Sequence, residues 1–486
     1  MERKSGLVAP AGWVGVVVPS AFHANEGATA IRHLYLDKMA MRCCYSFENR
    51  RRLFEIDSRF KFAIVIAQAG RPTQEVSCAF YLHDDEWLFG ERRDRQPLSY
   101  TIGFLRVTGG DYLSLLELRW TEDLVCAETC LANAEPFHQA CARRGIQLGR
   151  ELNSSDDSPI FAPTADLLRP DEDPRCPETA SAILERGYLV MHEGRTFHQY
   201  TDRWEDRNRY CVPLQRIADR ASVLVNTRFF KLSYRKISAS TNERTAIFAM
   251  LPPGVVGVDY SPTEQQPRQR PSKAALEVLA VSDSFPADFC LRLYVSSSTV
   301  NYFFLSRMAF PKDVPSPLLA HSALRLSCNH PGYAPLWREQ LGDEWREPGK
   351  PPFTWPVLAG DDARWAVRAA IDAVVADAYG LSRDQYAHVL STFSHTSYRN
   401  APELCLAKFE ELKQIGLDAF TRKYDPYHDI PLNENLPQPV IDLPIPGDDG
   451  TAASSPQAAD QEPASTDGTF RLSRSPQKSR RGRGRK

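Results

Sequence analysis

What this chain does not contain narrows its function first. Its 486 residues hold no run of eighteen apolar side chains, so no membrane partner is expected. Charge of one sign is not in excess: 59 Lys and Arg stand against 61 Asp and Glu, a net charge of -2. That excludes coating nucleic acid by bulk charge. A local basic groove stays open, because affinity follows where the cations sit. The start, MERKSGLVAPAGWVGVVVPSAF, has a charged beginning and a short apolar run that ends at Pro19 without a small-x-small cleavage site. It reads as a buried strand rather than an export signal. The 11 Cys are odd in number and lack framework spacing, so buried thiols in a reducing cytoplasm are expected.

Reactive motifs are missing too. Neither GxxxxGK[ST] nor GxGxxG occurs, and Gly-x-Gly is found only in the RGRGR tail, where no strand precedes it. HExxH and GxSxG are absent, and no carboxylate dyad or Cys/His pair stands out by spacing. No nuclease-like acidic motif falls convincingly on strands. Cys126, Cys130, His138 and Cys141 invite a metal reading, but Cys-x3-Cys lacks a zinc knuckle, and a half-buried helix face is favoured. A chain of this size without a reactive constellation is either a binding protein or part of something larger.

The pattern that is present reads as α/β. Val14 to Val18 is a β-branched run expected to be buried on both faces in a parallel sheet. ATAIRHLYLDKM places Ile31, Leu34, Tyr35 and Met39 on one helical side. Alternation over 60–82, broken at Gly70-Arg71-Pro72, predicts an antiparallel hairpin. Residues 84–125 are weakly patterned, 126–150 look helical, and 152–180, rich in Asp, Ser and Pro, reads as a loop or a domain boundary. Tyr188 to Val258 reads as β-rich, 262–273 as a polar loop, and 285–310 as a helix. Helices follow after Asp361, with stops and caps at Gly380 and Ser382 and a further helix over 403–423. Residues 447–486 are of low complexity. The last sixteen residues hold eight Lys/Arg and no acid, a solvated tail or a non-specific phosphate-binding arm.

Five strings in order, GWVGVVVPSAFHANEGATAIRHLYL, SFENRRRLFEIDSRFKFAIVI, MHEGRTFHQY, YRKISASTNERTAIFAMLPPGVVG and AAIDAVVADAYGLSRDQYAHVLSTF, resemble the post-catalytic portion of large adenine-specific DNA methyltransferases. These are the fused enzymes of type IIG restriction-modification systems and the similar methylases of phage defence. The resemblance covers about residues 7 to 445. It implies an incomplete Rossmann-like methyltransferase sheet over 1–125, a helical connector and loop over 126–180, and an α+β target-recognition domain over 181–330. C-terminal helices over 331–440 and a disordered basic tail over 441–486 complete the expected plan. The family's Gly-rich loop and Asn-Pro-Pro-aromatic tetrapeptide lie upstream of VVVPSAF and are not in this chain. Pro351-Pro352-Phe353 follows Lys350, and an ammonium cannot accept the adenine amino protons. No catalytic or cofactor-binding residue is therefore carried over. S-adenosylmethionine belongs to the complete family enzyme, and this chain alone is expected to bind none and to be inactive. A partner in trans, holding the missing strands, would complete it. The alternative is a non-catalytic DNA specificity subunit acting with a separate methyltransferase or restriction subunit.

Double-stranded DNA is the implied partner, and Arg, Asn, Gln and Thr are the side chains suited to base edges. The stretch 235–245 is dense in them, and Arg235, Lys236, Ser240, Thr241, Asn242 and Arg244 are candidate contacts. The competing reading is a polar turn between two strands in which Glu243 and Arg244 satisfy each other. Arg195, in Glu193-Gly194-Arg195 beside His198-Gln199-Tyr200, is a further candidate, with pairing to an acid as its alternative. Asn49-Arg50-Arg51-Arg52 reads as a solvated loop or a backbone grip. Trp13, Phe47 and Phe62 read as core.

Overall fold

β-branched Val14, Val16, Val17 and Val18 draw the chain into β1, Trp13–Pro19, one of five strands in a first sheet. The others are β2, Met39–Glu48; β3, Lys61–Ala69; β4, Glu75–Leu82; and β5, Leu98–Thr101. The order is β1-β3-β2-β4-β5. β3 runs antiparallel to both β1 and β2, β4 is parallel to β2, and β5 is antiparallel to β4. The computed structural model describes residues 8–58, 60–89, 96–295, 298–342 and 355–443, so the basic tail and Pro351-Pro352-Phe353 lie outside the described residues.

Two expectations for this stretch do not hold. β1 is antiparallel to its neighbour, and only one of its faces is buried: Trp13 and Val17 are 58% and 56% exposed, while Val14 and Val18 point inward. An unbroken apolar run carries no alternation that could reveal this. Trp13 is therefore not core, whereas Phe47 and Phe62 are, with stacked rings 5.4 Å apart. Nor do β3 and β4 form a hairpin, because β2 lies between them. Exposed Arg42 and buried Ser46 and Glu48 interrupt the apolar pattern of β2 and hide it in the sequence. Helix α1, Thr29–Asp37, follows the predicted period and buries Tyr35 and Leu36, with Ile31 and Leu34 half-buried.

Helix α2, Thr121–Ala132, begins where Asp123 Oδ2 accepts the Arg119 and Trp120 amides at 2.7 and 3.0 Å. The helix expected over 126–150 is broken by β6, Ala134–Pro136, and by β7, Leu148–Gly149. Cys126, Cys130 and Cys141 face the core, and His138 Nδ1 meets the Ser306 carbonyl at 2.9 Å. Among the described residues no group of three is arranged to hold a metal ion. All eleven cysteines are free thiols, ten of them buried.

The stretch from Tyr188 to Val258 is strand-rich, as predicted, with β9, Tyr188–His192; β10, Tyr210–Pro213; β11, Lys231–Tyr234; β12, Phe248–Leu251; and β13, Val255–Gly257, while the short strands β8, Ala162–Pro163, and β14, Thr263–Glu264, fall in stretches expected to be loops. They form two four-stranded sheets, β13-β9-β10-β8 and β12-β11-β14-β7. The expected polar loop over 262–273 holds only in part: Gln266, Arg268 and Gln269 are exposed, but Thr263, Glu264 and Arg270 are at most 1% exposed, because Glu264 and Arg270 neutralise each other. Where β13 turns into β14 the backbones crowd. A Cβ on Gly257 would lie 2.5 Å from the Ser261 carbonyl oxygen and 2.6 Å from Thr263 Cγ2. Gly257→Ala is thus expected to cost about 1–3 kcal/mol, read as a lower denaturant midpoint; an unchanged midpoint would show that the turn opens freely.

Helices dominate the rest: α3, Ser272–Ser282; α4, Phe285–Arg292; α5, Ser316–Ser327; α6, Asp361–Ala378; α7, Arg383–Ser391; α8, Ala401–Ile415; and α9, Leu417–Tyr424. The helix expected over 285–310 ends at Arg292, and the strand β15, Ala309–Pro311, pairs with β6. Ser382 caps α7, Gly380 follows α6, and Gly416 splits the helix expected over 403–423. One continuous core joins the first sheet to these helices, from Val14 to Tyr427. The fold class is α/β. No helix among the described residues is long and apolar enough to cross a membrane.

Candidate functional site

β11 carries the chain outward through Arg235 and Lys236 into a turn that returns as β12. The turn is tied internally: Ser238 Oγ donates to the Arg244 carbonyl at 3.1 Å, and Thr245 Oγ1 to the Ala239 carbonyl at 3.0 Å. It is also held from beneath by α4. Arg292 donates to the carbonyls of Asn242 and Glu243 at 2.7 and 2.8 Å and to Thr245 Oγ1 at 3.0 Å. Asp288 accepts from the amides of Thr245 and Ala246, both at 3.0 Å, and from Arg244 Nε at 2.8 Å. The Glu243 carboxylate takes the Ser397 amide and hydroxyl at 2.9 and 2.7 Å, along with the Thr396 hydroxyl. Burial pushes its carboxyl up, but these donors hold it below the usual range.

This geometry sorts the candidates. The stretch is indeed a turn between two strands, yet Glu243 and Arg244 do not satisfy each other. Arg244 is 5% exposed, paired with Asp288, and its guanidinium lies 4.2 Å from the Phe285 ring centroid. A side chain so placed cannot reach a DNA phosphate, so Arg244 is a buttress rather than a contact. Ser240, Thr241 and Asn242 sit together at the tip, Thr241 and Asn242 exposed. Arg195, Arg235 and Lys236 are not among the residues that line the cavity beside this tip.

The tip forms one wall of a cavity of about 400 Å³. Tyr81 of β4, with Glu117 and Arg119 from the segment just before α2, supplies the opposite wall, and His388 and Thr392 close the third side. Tyr81 adopts φ 58°, a left-handed conformation costly for a bulky residue. It sits where the β2–β4 register slips after Tyr45, and such an irregularity re-aims a side chain. Lys61 Nζ and Arg119 Cζ stand 4.6 and 4.1 Å from its ring centroid. Burial, then the charge of Glu117, pushes the phenol up to about 12. Burial would raise the Glu117 carboxyl as well. Lys61 Nζ at 2.8 Å and His23 Nε2 at 2.9 Å outweigh it and hold the acid down to about 2. The wall is therefore an ionised, hydrogen-bonded network at neutral pH.

Of the Asn49-Arg50-Arg51-Arg52 run, Asn49 is buried and braces the loop through Phe54 and Ile56, Arg50 pairs with Glu48 at 2.6 Å, and Arg51 pairs with Asp84 at 2.8 Å. Arg50 also lines the cavity. Arg195 pairs with Asp206 at 3.3 Å, while Glu193 grips Arg209 with both oxygens at 2.9 and 2.5 Å. Arg235 donates to the Phe197 carbonyl, and burial lowers its guanidinium to about 10. Lys236 is half-buried, its amide on the Tyr260 carbonyl at 3.0 Å. Sequence reasoning missed Tyr81, Glu117 and Arg119. A lone acid inside the apolar run Leu115-Leu116-Glu117-Leu118 is the signal that could have found Glu117.

No family model matches the chain, and no curated protein matches it. Among solved structures it aligns with the type IIL restriction-modification enzyme MmeI in complex with DNA, at 11% identity and a TM-score of 0.37, over 78% of this chain and 49% of that one. It also aligns with the type IIG restriction endonuclease BpuSI, at 9% identity and a TM-score of 0.27, over 86% of this chain and 49% of that one. The chain spans about half the length of each of these two structures.

Proposed function

We propose that this chain is the DNA target-recognition and C-terminal part of an S-adenosylmethionine-dependent adenine-N6 DNA methyltransferase of a restriction-modification or phage-defence system. One observation carries the reading. Ser240, Thr241 and Asn242, side chains of the base-reading kind, share a braced tip that faces an α/β sheet across a cavity large enough for a nucleotide. A tip fixed by Arg292 and Asp288 holds its donors and acceptors in place before DNA arrives, so little ordering entropy is lost on binding. Arg195 and Lys236 serve phosphates, which set register without choosing sequence. S-adenosylmethionine is assigned to the complete enzyme and to no residue here. A strand-bearing partner in trans suits β1, which among the described residues pairs with β3 alone and leaves Trp13 and Val17 exposed.

The test is selection of duplexes from a random pool, followed by titration of the enriched duplex at several salt concentrations. Log affinity is expected to fall with log salt by about 0.9 per phosphate contacted. Thr241→Ala and Asn242→Ala should each weaken the enriched duplex by about 1–3 kcal/mol and leave a scrambled duplex nearly unaffected. No enrichment, or variants that bind like wild type, would overturn the assignment of the tip.

A further inference from the structure

Arg119 brings to the cavity a cation that the fold does not neutralise. Its backbone is fixed, the amide donating to Asp123 Oδ2 at 2.7 Å, and its guanidinium lies 4.1 Å from the Tyr81 ring centroid. Contact with a ring face holds a guanidinium in place without using its N–H donors. The side chain is exposed and, among the described residues, makes no ion pair and no hydrogen bond. The other arginines of the lining are engaged. Arg50 pairs with Glu48 at 2.6 Å, and Arg292 directs its donors to Thr245 and to the carbonyls of Asn242, Glu243 and Thr392.

The acids of the lining are engaged too, and not by this guanidinium. Glu117 is held by Lys61 and His23, at 2.8 and 2.9 Å, and Asp123 by two backbone amides and by His388 Nε2 at 2.7 Å. The cavity is thus charged unevenly, with an open cation at one point and two carboxylates elsewhere on its walls. That pattern selects the occupant. A polyanion such as an acidic peptide would satisfy Arg119 but set further negative charge against Glu117 and Asp123. A nucleotide within a DNA strand carries one negative charge, on its phosphodiester, and presents a neutral base edge of donors and acceptors. The placement agrees with this. The Tyr81 hydroxyl is hydrogen-bonded to Ser240, so the ring that carries Arg119 reaches the tip. Thr241 and Asn242 line the same cavity, and among the described residues their side chains make no hydrogen bond.

We propose that Arg119 binds one phosphodiester of the DNA strand whose base the 240–242 tip reads, from the opposite wall of the cavity. The proposal rests on the DNA reading above and adds to it the residue that sets the register of that strand.

The experiment uses the full chain with the enriched duplex, the scrambled duplex, and enriched duplexes in which one phosphodiester at a time is replaced by a neutral methylphosphonate. Arg119→Ala should weaken both unmodified duplexes alike, by about tenfold, and flatten the slope of log affinity against log salt by about 0.9. Arg119→Lys keeps the charge and should keep the slope. Wild type should lose about tenfold at one methylphosphonate position, and the same position should cost Arg119→Ala nothing, a coupling that a merely structural role does not produce. An unchanged salt slope in Arg119→Ala, or methylphosphonate losses that are the same in wild type and variant, overturns the contact and leaves the DNA reading standing on Thr241 and Asn242. A wild-type chain that binds no duplex overturns both. Calorimetric titration with inorganic phosphate covers the free anion. Phosphate that binds wild type but not Arg119→Ala, in a variant whose duplex affinity is unchanged, overturns the assignment to DNA and identifies a free-anion site.

Discussion

Glu264→Ala is expected to destabilise the protein by about 3–5 kcal/mol, enough to unfold it at ambient temperature if its stability is ordinary. The carboxylate is fully buried and meets Arg270 with both oxygens, Oε1 to Nε at 2.7 Å and Oε2 to Nη2 at 2.6 Å. Oε2 also accepts the Leu232 amide at 3.1 Å. Deleting the acid would strand a guanidinium that is 1% exposed and keeps only weaker neighbours, the Phe230 carbonyl at 3.2 Å among them. Replacing both partners with apolar residues of similar volume, Glu264→Leu with Arg270→Met, should cost far less, because the dominant penalty is the uncompensated charge rather than the lost bond. Denaturant unfolding of the three variants decides it. A single variant that loses under about 1 kcal/mol would mean that water reaches the site. The pair matters for function because β14, which carries Glu264, is hydrogen-bonded to β11, and β11 delivers the turn. Lys231–Glu151, at 2.6 Å with both side chains fully buried, anchors the same strand one residue before Leu232, whose amide Glu264 holds. The turn over 235–247 therefore stands on two buried ion pairs.

Elements with a local period were legible in the sequence, and those defined by distant partners were not. α1, the capped α7 and the strand-rich middle follow from spacing and caps alone. β2 could not be read, since what makes it a strand is burial between β3 and β4, which compensates for Arg42, Ser46 and Glu48. The polar string over 262–273 has the composition of a solvent-exposed loop, as Gln266, Arg268 and Gln269 are; only the pairing of Glu264 with Arg270 takes those two residues into the core. The candidate site divides in the same way. Ser240, Thr241 and Asn242 were visible as a dense polar turn. Arg244 was indistinguishable from its neighbours until Asp288, 44 positions away, claimed it. Tyr81 and Glu117 face the cavity only because the fold brings β4 and the segment before α2 together, and no spacing encodes that.

The cavity wall is expected to hold its charge down to strongly acidic pH and then fail abruptly. The Glu117 carboxyl falls from an ordinary 4.5 to about 2 in the fold. A group whose folded value is depressed contributes stability that is present above its unfolded value and lost as pH falls through the folded one. Glu117 should thus contribute about 3 kcal/mol above pH 4.5 and lose it between there and pH 2. Asp372, whose carboxyl accepts the Phe285 amide at 2.5 Å, behaves in the opposite sense: burial outweighs Arg244 and raises it from 3.8 to about 6. Its contribution is whole below pH 3.8 and lost as pH rises through 6. Many other groups titrate, so the measurement must be a difference. The stability of wild type minus that of Glu117→Gln should drop by about 3 kcal/mol from pH 5 to pH 2, while wild type minus Asp372→Asn should drop by a similar amount from pH 4 to pH 7. Parallel pH profiles for wild type and Glu117→Gln would show that Lys61 and His23 do not hold the acid ionised. The opposed signs have a structural meaning. Glu117 is an ion secured to the open wall of the site, and Asp372 is an acid trapped beneath the helices that brace the turn, so falling pH loosens the wall at Glu117, whereas it is rising pH that loosens the buttress at Asp372.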